Sequence, residues 1–154
     1  MLTATRVQTD QGILIRLNGE VDENSDLENI LGKLSGRVDI DCRDVKRMNS
    51  SGVRRWMQYF RNAIGLGAEV TLSSCSSVIV EQLNLVSDFG CGAKIQSVLL
   101  PYYCSGCSIE TESLYLVDTL KDAAFKPEPK VCTICGHTTV FDDNTGYFHF
   151  LEWC

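Results

Sequence analysis

Two Cys-x-x-Cys pairs, Cys104/Cys107 and Cys132/Cys135, constrain the last third of this chain more than any other feature. A stretch of about 55 residues with few aliphatic side chains cannot hold a fold by hydrophobic contact alone. A Cys-x-x-Cys turn aims two sulfurs at one point, and Gly106 and Gly136 supply the backbone conformations that tight turns need. Two such turns complete a tetrahedron of thiolates, the shell that zinc takes in structural sites. The 24 residues between the pairs slightly exceed the usual spacing. The sequence therefore predicts one structural Zn2+ held by Cys104, Cys107, Cys132 and Cys135. With all four positions filled, no coordination site is left for catalysis. The competing reading is a redox pair, but a thioredoxin-type motif opens a helix after a strand, and nothing calls for two.

The second pair resembles the knuckle of a zinc ribbon, which implies a small β module over residues 99–154. Residues 112–117 and 138–142 read as its strands. Asp143-Asn144-Thr145-Gly146 reads as a hairpin turn returning through residues 147–151. His137, just after the knuckle, and His149, on the returning strand, read as packing or surface residues. Cys42, Cys75, Cys91 and Cys154 have no paired spacing, and Cys75 and Cys91 fall in loops where oxidation is conceivable. Lys126-Pro127-Glu128-Pro129 reads as a rigid exposed connection.

The first 98 residues follow a different logic. Residues 3–9 and 12–18 read as strands joined by a turn at Asp10-Gln11-Gly12, with Gly19 ending the second. A helix capped by Asn24 or Ser25 runs to about Leu34, with Leu27, Ile30, Leu31 and Leu34 on one face and Gly36 stopping it. Residues 38–42 form a short strand, followed by a loop. Val53, Trp56, Met57, Phe60 and Ile64 recur at helical spacing and mark a second helix. Residues 69–73 form a strand. A helix capped by Ser76 or Ser77 runs to Val86 and buries Val78, Ile79, Leu83 and Val86; a last strand covers residues 94–100. Strands alternating with helices predict an α/β fold with a mostly parallel sheet. Residues 1–98 are expected to fold without the tail.

The second helix opens on Arg47-Met48-Asn49-Ser50-Ser51-Gly52-Val53. Asn49 is a good N-cap, and Ser50 and Ser51 fall in the first turn, beside free amides and the positive end of the helix dipole. A phosphate there would be stabilised. In open α/β sheets, function gathers at the carboxyl ends of strands, where this turn lies. Arg43, Lys46, Arg47, Arg54, Arg55 and Arg61 surround it and could meet a phosphate or an acidic partner, or could simply form a solvated face.

Element order, the Gly19-Glu20-Val21-Asp22 turn and the strand leading to Met48-Asn49-Ser50-Ser51-Gly52-Val53 resemble the STAS domain, the fold of bacterial anti-sigma factor antagonists. The family's turn is Asp-Ser-Ser/Thr-Gly followed by an apolar residue, with the first serine as phosphoacceptor. The resemblance implies Ser50 as acceptor, with Ser51 as the alternative. It implies a partner face of Asn49, Ser50, Ser51, Arg54 and Arg55, and a partner that is an anti-sigma factor or serine kinase. Asn49 departs from the family's Asp. The alternative is a non-phosphorylated STAS-like structural subunit of a transport or signalling assembly.

Charge and motifs narrow the classes further. Residues 1–98 carry 11 Lys/Arg against 12 Asp/Glu, and residues 99–154 carry 3 against 8. Four thiolates around one zinc would deepen that negative charge, so nucleic-acid binding by the tail is not expected. Residues 1–10 lack the apolar core of a signal peptide and no run reaches transmembrane length, which predicts a cytoplasmic protein without membrane insertion. Gly65-Leu66-Gly67 and Gly90-Cys91-Gly92 lack the third glycine of a dinucleotide loop, and there is no P-loop. Nothing argues for an enzyme, so no catalytic residue is assigned. The sequence leaves self-association open.

Overall fold

The computed structural model describes residues 1–142 and 146–154. The predicted turn residues Asp143, Asn144 and Thr145 lie outside them. The described residues are α/β, with one mixed sheet, one antiparallel sheet and four short to medium α-helices among them.

The first sheet has five strands in the order of the chain: β1 (Thr3–Thr9), β2 (Gly12–Val21), β3 (Arg37–Met48), β4 (Glu69–Ser73) and β5 (Lys94–Ile95). β1 and β2 form an antiparallel hairpin, and every later pairing is parallel. One face is covered. Ile15 and Leu17, Val38 and Ile40, and Val70 and Leu72 are buried, while Arg16, Asp39, Asp41, Thr71 and Ser73 alternate with them on a wetter face. There Arg16 lies 4.0 Å from Asp41, and the Ser73 hydroxyl donates to Asp39 at 2.7 Å.

Two strands are longer than local pattern foretells. β2 does not end at Gly19: it passes through that residue (φ 122°) with a shift of register and continues to Val21. β3 runs through the segment expected to be a loop and ends at Met48, because Asp44, Val45, Arg47 and Met48 pair with residues 18–21 of the lengthened β2. The first helix is shorter than expected. α1 covers only Leu27–Leu31, capped by Asp26, whose carboxylate accepts the Asn29 amide, and it ends at Gly32 (φ 67°) rather than at Gly36. Ser25 serves the preceding turn, accepting the Asp22 amide.

α2 (Ser50–Gly65) buries Val53, Trp56, Tyr59, Phe60 and Ala63; Met57 and Ile64 are half-buried. Trp56 stacks on Phe89 at 5.7 Å, and the Tyr59 hydroxyl donates to the Gly32 carbonyl at 2.6 Å. α3 (Ser77–Leu85) buries Ile79, Val80 and Leu83, with Val78 and Val86 only half-buried. Its Ser76 cap makes no capping bond and instead donates to the Val45 carbonyl.

The expected strand 94–100 is split at Gln96. β5 ends at Ile95, and β6 (Ser97–Cys104) opens the second sheet. β6 pairs on one side with β7 (Ile109–Leu116) and on the other with β9 (Thr138–Phe141), which in turn pairs with β8 (Lys130–Val131); all are antiparallel. α4 (Val117–Leu120) follows β7. Tyr147–Leu151 is not a returning strand, because a 3-10 helix occupies His149–Glu152, and His149 sits in it.

The division drawn after residue 98 falls inside β6. Val98, Leu100, Tyr102, Val117, Tyr147 and Phe150 belong to the same apolar cluster as Ile79, Leu83 and Phe89. Asn84 on α3 donates to the Tyr147 carbonyl at 3.0 Å and accepts the Phe150 amide at 2.7 Å, tying the C-terminal segment to the first sheet's helix.

Candidate metal centre and partner face

The two knuckles are the turns of two hairpins. Cys104 ends β6, and Ile109 begins β7 after the Cys104–Cys107 turn. Val131 ends β8, and Thr138 begins β9 after the Cys132–Cys135 turn. The pairing of Cys104 with Thr139 across β6 and β9 sets the turns side by side. Left-handed residues close them, Ser108 (φ 56°) in one and Gly136 (φ 76°) in the other.

This arrangement gathers all four predicted sulfurs within 4.8 Å of one another. Cys104 and Cys135 are 3.3 Å apart, and Cys107 and Cys132 are 3.7 Å apart. Four sulfurs at the ordinary zinc–sulfur bond length of about 2.3 Å would stand about 3.8 Å apart in a tetrahedron, so the cluster has the size of a four-thiolate site. Cys104 and Cys132 are buried, Cys107 is half-buried and Cys135 is exposed. Backbone amides prepare two of the sulfurs, those of Cys104 and Cys132, for deprotonation. Donation from the Cys107 amide lowers the Cys104 thiol, and the Cys135 and Ile134 amides lower Cys132 to about 6. Desolvation pushes Cys107 up to about 12 in the metal-free chain. His137 is not remote from the site: its Nδ1 lies 3.3 Å from Cys135 Sγ. Of the remaining cysteines, Cys42, Cys75 and Cys91 are buried, so Cys75 and Cys91 are shielded from the oxidants their loop positions invited; Cys154 is exposed.

The Ser50 turn lies where the carboxyl ends of β2 and β3 meet α2. Asn49 is the N-cap, and its Oδ1 accepts the Gly52 amide at 2.8 Å. Ser50 is exposed and Ser51 half-buried. Glu23, which sequence reasoning passed over, accepts a bond from Asn49 Nδ2 at 2.7 Å across 26 residues. That bond lowers the Glu23 carboxyl below its ordinary value. Asparagine therefore does two jobs here, accepting at the cap and donating to a carboxylate, where aspartate could only accept. The chain signal was an acidic residue two positions beyond Val21, but only the folded register brings it to Asn49.

The basic residues separate into two groups. Arg47 pairs with Glu20 at 3.8 Å, Lys46 with Asp44 at 3.3 Å, and Arg61 with Asp88 at 3.4 Å. Arg54 and Arg55 are exposed and make no ion pair among the described residues; Arg43 is exposed as well.

The dual role of Asn49 gives an expected outcome. Asn49→Asp should lower the melting temperature by a few degrees, because it places a second carboxylate against Glu23 and loses the donor. Glu23→Gln in that background should recover most of the loss, since the amide can donate to the new carboxylate. Melting curves at pH 7 and low salt test this. Stability from the lowered Glu23 is fully present above the ordinary glutamate value and is lost as pH falls from there through its lower folded value, so the Asn49→Asp defect should shrink in acid. A double variant no more stable than Asn49→Asp would remove the coupling.

No protein-family model matches the chain, and no curated protein matches it significantly. No helix among the described residues is long and apolar enough to cross a membrane.

Proposed function

We propose that this protein is a regulatory binding module, resembling an anti-sigma factor antagonist, that docks a protein partner through the face around Ser50 and carries a structural zinc ion in a zinc-ribbon-like tail. The observation that carries the docking reading is the exposed Ser50 at the capped N-terminus of α2, beside two exposed arginines that form no ion pair within the described chain. The sheet supports the resemblance: β1 is antiparallel to β2 and the rest is parallel, with the turn at the carboxyl ends of strands. Paired knuckles on two hairpins with four sulfurs within 4.8 Å of one another support the zinc ribbon.

On this reading the unphosphorylated protein binds an anti-sigma factor or serine kinase. Phosphate on Ser50 then adds up to two negative charges at the interface and releases it. Ser50→Asp should weaken capture of the native partner about a hundredfold, the consequence of about 2.7 kcal/mol from an unpaired charge in an interface. Ser51→Asp should weaken it far less, since that side chain is half-buried beside the helix. Neither should lose much stability, because the first turn of a helix favours negative charge. Ser50→Ala should bind normally and resist release. The experiment is affinity purification from the native cell with mass spectrometry of partners and phosphosites. A Ser50→Asp protein that keeps its partner would sink the switch and leave a constitutive scaffold.

A further inference from the structure

We propose that His137 is an outer-sphere partner of the four-cysteine site, clasping the two knuckles together and donating a hydrogen bond to its most exposed sulfur. The proposal rests on reading that site as a metal centre. Three contacts support it. His137 Nδ1 lies 3.3 Å from Cys135 Sγ, and Cys135 is the one exposed cysteine of the four. The same ring lies against Gly106 of the other knuckle, where a Cβ would come within 2.6 Å of its Cγ and Nδ1. The His137 carbonyl accepts the Cys132 amide at 2.7 Å, so its backbone is pinned to the second knuckle while its ring reaches the first.

The chemistry follows from the protonation states. A metal-bound thiolate carries no proton and can only accept, so the Nδ1–Sγ contact must be Nδ1–H donating to sulfur. Four thiolates on a divalent ion leave a net charge of −2, and the surrounding tail is acidic. A donor on the exposed sulfur spreads that charge and replaces water, which would otherwise assist attack by protons or electrophiles. Hydrogen bonding lowers the energy of the sulfur lone pair, and the clasp resists the opening of one knuckle from the other. Gly106 is then required by the ring: its φ is not in the left-handed region, and the nearest obstacles to a larger residue are atoms of the His137 side chain.

The test uses the full chain loaded with Co2+. Wild type should show thiolate-to-cobalt charge-transfer absorption. His137→Ala should keep the band but move it to lower energy, and EDTA should strip the metal about tenfold faster, the lower end for loss of an outer-shell partner. His137→Asn, whose amide N–H can stand near the place of Nδ1, should restore most of both properties. Gly106→Ala should reproduce His137→Ala by displacing the ring, and the double variant should be no worse than either. If His137→Ala keeps the wild-type band position and release rate, the proposal is overturned and the histidine is a surface residue. A wild-type chain without a cobalt–thiolate band would instead bring down the metal reading itself.

Discussion

Gly52→Ala should destabilise this fold by about 3 kcal/mol, although the same exchange inside an ordinary helix stabilises it by about 1 kcal/mol. The sign reverses because of one contact. Gly52 is buried in the first turn of α2, and a Cβ there would lie 2.0 Å from the Val21 carbonyl oxygen and 2.5 Å from its carbon. Both obstacles are backbone, and the Val21 carbonyl also accepts the Asn49 amide at 3.2 Å, so it cannot simply turn away. The start of α2 would have to lift from the end of β2. That would also separate Asn49 from Glu23 and reshape the surface around Ser50. For a chain of this length the loss corresponds to a fall of about 10 °C in melting temperature. Gly65 is the internal control: it ends the same helix with nothing within 4 Å of its Cβ position, so Gly65→Ala should be neutral or stabilise by about 0.5 kcal/mol. Equal thermal midpoints for Gly52→Ala and wild type would show that α2 is not seated against Val21.

The second large effect concerns the metal. Elemental analysis should find about one zinc per chain, and none in the Cys104→Ser, Cys132→Ser double variant. Stripping should cost about 3 kcal/mol or more, again about 10 °C, because the knuckle hairpins contribute little apolar burial of their own: Val131, Ile134 and Val140 are all exposed. The five-stranded sheet should persist, since Val98, Leu100 and Tyr102 at the base of β6 belong to the main apolar cluster and do not depend on the ion. Metal retention should fall as pH is lowered, because four thiols must lose protons to bind and Cys107, pushed up to about 12 without metal, gives its proton up least readily. Zinc retained by the double variant would place the ion elsewhere.

What the chain determined by itself was whatever depends on short spacing. The Val53, Trp56, Phe60 stripe, the Asn49 cap and the four cysteines were legible because helical period, capping and a Cys-x-x-Cys turn each act within a few residues. Alternating strands and helices likewise fixed a largely parallel sheet. The misses lie where a distant partner decides. Residues 43–48 look like a polar loop, yet they are strand because β2 extends beside them. The α1 pattern extends to Leu34, but Gly32 ends the helix, and the Tyr59 hydroxyl from α2 bonds to the Gly32 carbonyl. Residues 147–151 alternate like a strand but turn into a 3-10 helix held by Asn84, more than 60 positions away. Glu23 meets Asn49, and His137 meets Gly106, only after the sheets have set their registers. Register is a property of two strands together, and a hydrogen bond across 26 residues leaves no periodic trace in either partner's neighbourhood. Local spacing therefore selected the residues that can do chemistry here, and tertiary pairing decided which of them stand together.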